Sequence, residues 1–165
     1  MRIRQLSLPG EAGEIFLHSM PGKCEDIAEF SEEIRKLSIH LVVCLAECEE
    51  IRRKSPAYAE LRAKKGLPCD IRDLPIPDFG VPADRDAFRR LALEIARLVR
   101  DGRRLLIHCA GGVGRTGTFA NCVLLAMHHD PEEARRRVEE AGSRPETEEQ
   151  RELVRWFAGE MAESG

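Results

Sequence analysis

Leu105-Leu106-Ile107 is a continuous apolar run that feeds into Cys109-Ala110-Gly111-Gly112-Val113-Gly114 and then into Arg115-Thr116-Gly117-Thr118. A short strand that is apolar at successive positions is buried on both faces, which requires layers of structure above and below its sheet. The glycines that follow mark a tight turn, and residues from Arg115 to His129 read as helix. Strand, glycine turn and helix in that order predict an α/β fold with the turn at the carboxyl end of the sheet.

Four further short runs fit strands, at residues 3–8, 14–19, 40–45 and 69–74, with 104–108 as the fifth. Between them apolar residues recur at spacings of three and four. Ile27, Phe30, Ile34 and Leu37 form one stripe; Phe88, Leu91, Ile95, Leu98 and Val99 form another, on a helix predicted over 82–101. Residues 47–65 read as two helical pieces broken near Ser55-Pro56. Asp130-Pro131 and Thr147 to Gln150 open two more helices, the second running towards Met161. The expectation is a single domain over residues 1–165, with a central twisted sheet of about five strands flanked by helices and a helical C-terminal third.

With 42% apolar and 33% charged residues, the 165-residue chain can bury a core. A net charge of -3 leaves no bulk basic surface for nucleic acid, so no such partner is expected. No run approaches the roughly 20 apolar residues of a membrane helix, and the first residues lack an apolar signal core. A cytoplasmic monomer without membrane contact is expected. In that setting Cys24, Cys44, Cys48, Cys69, Cys109 and Cys122 read as free thiols, and their spacing contains no C-x2-C metal pair.

The glycine turn carries the chemistry. Its successive N–H groups can converge and the helix amino terminus adds partial positive charge, so Ala110, Gly111, Gly112, Val113 and Gly114 predict an anion cradle. Arg115 adds a planar fork matched to two phosphate oxygens. The same field favours the thiolate of Cys109, which facing a bound phosphate is a nucleophile for phosphoryl transfer. Gly112, Gly114 and Gly117 also fit a dinucleotide-binding spacing, but that pattern opens a βαβ unit, and here everything beyond Gly117 reads as helix. A Walker loop would need Lys where Arg115 stands.

His108-Cys109, five residues, then Arg115-Thr116-Gly117 matches the signature H-C-x5-R-[ST]-G. The chain thereby resembles the Cys-dependent protein tyrosine phosphatases, specifically the small atypical dual-specificity type found in prokaryotes, over roughly residues 14–160. Ile76-Pro77-Asp78-Phe79-Gly80-Val81-Pro82 is similar to the general-acid loop of those enzymes. Ser143-Arg144-Pro145 through Gln150 is similar to the segment after their penultimate helix.

The resemblance implies a protein tyrosine phosphatase-like fold and hydrolysis of phosphotyrosine, and also phosphoserine or phosphothreonine, in a phosphorylated protein or peptide. It implies a phosphocysteine on Cys109, with Asp78 as acid and then base, and with Arg115 and the loop amides holding the phosphoryl oxygens. Thr116 would stabilise the departing thiolate and His108 would orient the loop. Neither a metal nor a cofactor is implied. Glu47 resembles the acid that braces the loop arginine in several relatives, although a solvated run with Glu49 and Glu50 fits it equally well.

Three choices rest on local chemistry. Asp73 falls at a strand end and Asp84 at a helix start, whereas Asp78 sits between prolines in a segment that Gly80 lets bend. Gln150 stands third after Thr147, where a capping box takes Glu or Gln, and is left outside the catalytic set. The loop lacks the lysines that inositol-phospholipid phosphatases of this superfamily carry, which favours a protein phosphoresidue. An RNA 5′-phosphatase, another non-protein phosphomonoesterase, and a phosphate-binding pseudoenzyme are the alternatives.

Overall fold

The computed structural model describes residues 2–164. In chain order the elements are β1 (Arg4–Leu6), β2 (Glu14–His18), α1 (Ile27–Lys36), β3 (Leu41–Cys44), α2 (Cys48–Lys54), α3 (Pro56–Ala63), β4 (Asp70–Asp73), α4 (Arg85–Arg100), β5 (Arg104–His108), α5 (Gly114–Ala126), α6 (Pro131–Glu140) and α7 (Glu148–Ser164). The strands form one sheet in the order β1-β2-β5-β3-β4. β1 runs antiparallel to β2 and the other pairs are parallel.

β5 lies at the centre, which explains its apolar run. Leu105 and Ile107 join the core on one face, with Phe88 of α4, Phe119 of α5 and Phe157 of α7. Leu106 points to the other face, among Phe16, Phe30, Ile34 and Val42. Both faces are therefore covered by helices, as a parallel sheet requires. α5 is buried along its whole length, which accounts for a helix that is apolar on every side. Register places His18 and Cys44 on either side of His108, so three strand ends converge where the chain leaves the sheet.

The predicted strands are all present, though most are shorter than expected. The run 3–8 pairs only over Arg4–Leu6, because the Leu8 carbonyl closes a turn onto the N–H of Glu11 around Pro9-Gly10. The 82–101 helix starts at Arg85, with Asp84 as its N-cap accepting from the N–H groups of Asp86 and Ala87. The 47–65 segment breaks at Ser55, whose hydroxyl caps α3 at Tyr58 with Pro56 in the first turn. α5 stops before His129, its last turn followed by His128 at a left-handed φ of 64°. Beyond β5 the described residues form three helices and no strand, so no βαβ unit follows the glycine turn. No helix is long and apolar enough to cross a membrane.

α5 reaches the sheet end only because Gly117 lets the chain after α6 lie directly on it. A Cβ at that position would run into the backbone of Arg144, with Arg144 Cα at 2.6 Å. Gly117→Ala is expected to cost about 1–3 kcal/mol of stability, read as a lower urea midpoint with an unchanged m-value.

Candidate active site

The loop from Cys109 to Gly114 links β5 to α5, and five of its six carbonyls accept hydrogen bonds. The Cys109 carbonyl accepts from His108 Nδ1 at 2.9 Å, and the Ala110 carbonyl accepts from the Met20 N–H at 2.9 Å. Gly112 O accepts from Arg4 Nη2 at 2.8 Å and from Ser143 Oγ at 2.6 Å. Val113 O takes the N–H groups of Gly117 and Arg144, and Gly114 O takes Thr118 Oγ1 at 2.7 Å. On the concave side the Gly112 N–H donates to Cys109 Sγ at 3.2 Å. Gly112 has φ +74°, and a Cβ there would lie 2.7 Å from His18 O, so only glycine closes this turn.

Cys109 is almost fully buried at the base of this cradle, and Thr116 Oγ1 donates to its sulfur at 3.1 Å. His108 is inaccessible to solvent. Its Nδ1 faces a carbonyl and must carry the proton, which leaves Nε2 to accept from the Tyr58 hydroxyl at 2.9 Å. Burial pushes the imidazole down to about 3, against the opposing pull of the Cys109 carbonyl, so the ring is neutral. The ring connects the loop to the Tyr58 face of α3 and does not add charge to the sulfur.

Arg115 is buried, and its fork is fully occupied. Nη1 donates to Glu50 Oε2 at 2.8 Å and to Ile76 O at 2.9 Å, while Nη2 donates to Glu50 Oε1 at 2.9 Å and to Asp78 Oδ1 at 3.0 Å. The bracing acid is therefore Glu50 and not Glu47, which corrects the assignment made from the sequence. Glu47 is the exposed N-cap of α2, and one helical turn on, Glu50 points inward on the same side as Lys54, to which it also bonds at 2.9 Å. Burial by itself would raise the Glu50 carboxyl, but the hydrogen bonds from Arg115 and Lys54 outweigh it and hold the group at about 2.

Of the three candidate acids, only Asp78 stands at the site. Asp73 pairs with Arg62 at 2.9 Å and Asp84 caps α4. Asp78 is half-exposed, and its second oxygen lies 3.7 Å from Lys54 Nζ. Its loop is pinned on one side by Ile76, whose N–H donates to Leu45 O. On the other side a turn closes from the Gly80 N–H to Pro77 O, with Phe79 at φ +58°. Gln150 Nε2 donates to Gly80 O at 3.0 Å, and its Oε1 accepts from the Glu146 N–H at 2.8 Å. Thr147 Oγ1 does accept from the Gln150 N–H as the capping pattern predicts, but the Gln150 side chain turns away from the cap to hold the acid loop. A cavity of about 210 Å³ opens over Cys109, bounded by Asp78, Phe79, Arg115, Gln150 and two lysines.

Sequence reasoning missed Glu50, Lys54, Arg4, Tyr58 and Gln150 as parts of this arrangement. For Glu50 a signal existed: it lies four residues before Lys54 on a helix that starts at Cys48, so both share one face. For Arg4, which reaches the loop from 108 residues away, no local pattern exists.

Residues 11–162 match the PTP-SAK family, described as a Swiss Army Knife protein DSP-PTPase phosphatase domain. Cyclin-dependent kinase inhibitor 3 of Rattus norvegicus is 43% identical over 103 residues, covering 62% of this chain and 47% of that protein. The chain thus spans about half the length of the curated relative. Among solved structures, kinase associated phosphatase with a serine replacing its catalytic-site cysteine superposes with TM-score 0.82 at 23% identity, covering 98% of this chain and 96% of that one. Tk-PTP in its active form gives TM-score 0.72 at 26% identity, covering 94% and 97%.

Two measurements check the electrostatics. Glu50→Ala strands the buried Arg115 cation and is expected to cost about 3–5 kcal/mol, whereas Glu47→Ala should stay within about 0.5 kcal/mol; chemical denaturation separates them. Stability should also fall on acidification, in two overlapping ranges. His108 stays neutral in the fold down to about 3 but takes a proton in the unfolded chain below its ordinary value near 6.5, so stability declines across that interval. Glu50 contributes stability that is complete above its ordinary value near 4.5 and is lost as pH falls towards 2. A Tm that is flat from pH 7 to pH 4 would contradict the His108 assignment, and one that is flat from pH 4.5 to pH 2 would contradict the Glu50 assignment.

Proposed function

We propose that this chain, which belongs to the DSP-PTPase phosphatase-domain family, hydrolyses phosphoresidues in proteins through a phosphocysteine on Cys109. The observation that carries the reading is the Cys109 sulfur at one cavity with Arg115, receiving the Gly112 N–H and the Thr116 hydroxyl, while Asp78 sits on the fork of Arg115. The thiol, the guanidinium of Arg115 and the carboxyl group of Asp78 line one cavity.

In the proposed first step the Cys109 sulfur attacks phosphorus, an S–P bond forms, and the P–O bond to the leaving alcohol breaks. Asp78, protonated, gives its proton to that oxygen. Arg115 and the loop amides hold the equatorial oxygens, where charge is spread in the transition state. In the second step a water attacks phosphorus, its proton passes to Asp78, and the S–P bond breaks to return the thiolate. Thr116 Oγ1, already donating to Sγ at 3.1 Å, stabilises that thiolate. His108 and Tyr58 act through the loop backbone and not on the substrate.

The occupied fork of Arg115 adds a condition. A phosphate that binds through Nη2 takes the place of Asp78 Oδ1 there, so substrate binding in that mode frees the acid that the reaction then uses.

Turnover of para-nitrophenyl phosphate and of a phosphotyrosine peptide tests the proposal. Cys109→Ser is expected to abolish turnover of both while keeping vanadate binding, since the amides and Arg115 remain. Asp78→Ala should slow the phosphotyrosine peptide by roughly 10²–10⁴-fold and an activated aryl phosphate much less, because only the poorer leaving group needs the proton. Substantial turnover by Cys109→Ser would remove the nucleophile from the proposal, and equal losses for both leaving groups would remove the acid.

A further inference from the structure

We infer that Lys23 and Lys54 form a cationic wall of the cavity that selects phosphopeptides carrying an acidic side chain beside the phosphorylated residue. The inference rests on the phosphatase reading above and assigns the site a class of preferred substrate.

The two lysines come from separate elements, Lys23 from the β2–α1 connection and Lys54 from the last residue of α2. They are joined at Ser55. Its hydroxyl donates to Pro21 O at 2.7 Å, and Gly22 packs so closely that a Cβ there would lie 2.7 Å from the same hydroxyl. The connection is docked on the catalytic loop as well, through the Met20 N–H to Ala110 O at 2.9 Å. Two of the five lysines in the chain are thereby carried to the mouth of one cavity. The loop itself has no charged residue between Cys109 and Arg115, so these lysines supply its missing rim charge.

The two are not equivalent. Lys54 is committed to Glu50 and reaches Asp78, so much of its charge is already balanced. Lys23 is exposed and has no ion-pair partner among the described residues. Its ammonium is thus the one available to a substrate group that flanks the phosphate.

The Gly114 end of the loop has the opposite character. A side chain at position 114 would run into Glu146 Oε1 and come within 3.2 Å of Gln150 Oε1. Phe79, 58% exposed, stands at the rim of the same cavity. A ligand with charge distributed all round, such as a polyphosphorylated inositol headgroup, would place one anionic group against Glu146. A peptide can direct one acidic side chain to the lysine wall and keep apolar atoms against Phe79. One uncommitted lysine matches one extra negative charge, which favours the peptide.

The test uses the full chain and phosphotyrosine peptides differing only in Ala or Glu at one of the two positions on either side of the phosphoresidue. It is read as the Glu/Ala ratio of kcat/KM, so a general change in activity cancels. The wild type should favour Glu at one or more positions by about two- to fivefold, the scale of a single exposed ion pair. Lys23→Ala should bring that ratio to about one, and Lys23→Glu should bring it below one. The preference should shrink at about 1 M salt, where the screening length is near 3 Å. A wild-type ratio of one at every position, a ratio unaffected by Lys23→Glu, or faster turnover of phosphatidylinositol 5-phosphate in vesicles than of any peptide would overturn the inference. Those outcomes leave para-nitrophenyl phosphate turnover intact; loss of that turnover as well would overturn the phosphatase reading and this one with it.

Discussion

A guanidinium that is 2% exposed cannot remain in a protein interior without an anion, and here the anion is Glu50. The bidentate pair joins residues 65 positions apart and fixes the first turn of α5 against α2. Arg115 also donates to the Ile76 carbonyl, which anchors the segment bearing Asp78, and Glu50 holds Lys54 at the cavity mouth. A buried pair of this kind is not a source of net stability, since desolvation of both ions offsets most of their attraction. Its effect is geometric. It sets the plane of the guanidinium beside the cradle, and the other charged groups at the site are arranged around that plane.

The cradle depends on a different device. A loop whose amides converge must turn its carbonyls outward, and each outward carbonyl that is buried needs a donor. These donors come from distant parts of the chain: Met20 after β2, Arg4 on β1, Ser143 and Arg144 after α6, and His108 on β5 itself. The loop around Cys109 is therefore a product of the whole fold. The donor set also explains why β1 exists as a three-residue antiparallel strand at the sheet edge: its pairing with β2 positions Arg4 to reach both Gly112 O and Ser143 Oγ.

What the sequence made legible follows from this division. β5, the glycine loop and α5 could be read directly, because strand, turn and helix lie within one contiguous stretch and each leaves a periodic or compositional mark. The break at Ser55-Pro56 was equally readable, and so was the place of Asp84 near a helix start, since both leave local chemical marks. Glu50 was passed over for Glu47 because adjacent acids in a charged run differ only in which way the helix turns them, and that depends on where α2 begins. Gln150 fitted its capping position, and nothing nearby signalled that its amide bonds a carbonyl 70 residues away. Lys23 and Lys54 are unremarkable in the chain and acquire meaning only when the Ser55 hydroxyl brings their segments together.

The contact between Asp78 Oδ1 and Arg115 Nη2 bears on how a cycle of the proposed reaction would end. In that reaction inorganic phosphate, the product, would compete for the Nη2 edge of the guanidinium that Asp78 holds in the resting protein. The carboxylate is tethered a short distance away, and so competes with free phosphate at the high local concentration of an intramolecular group. In the proposed cycle each departing phosphate would be replaced by a ligand that cannot diffuse away. The protein would thus carry its own displacing anion, and accumulated product would contend with a rival whose concentration never falls.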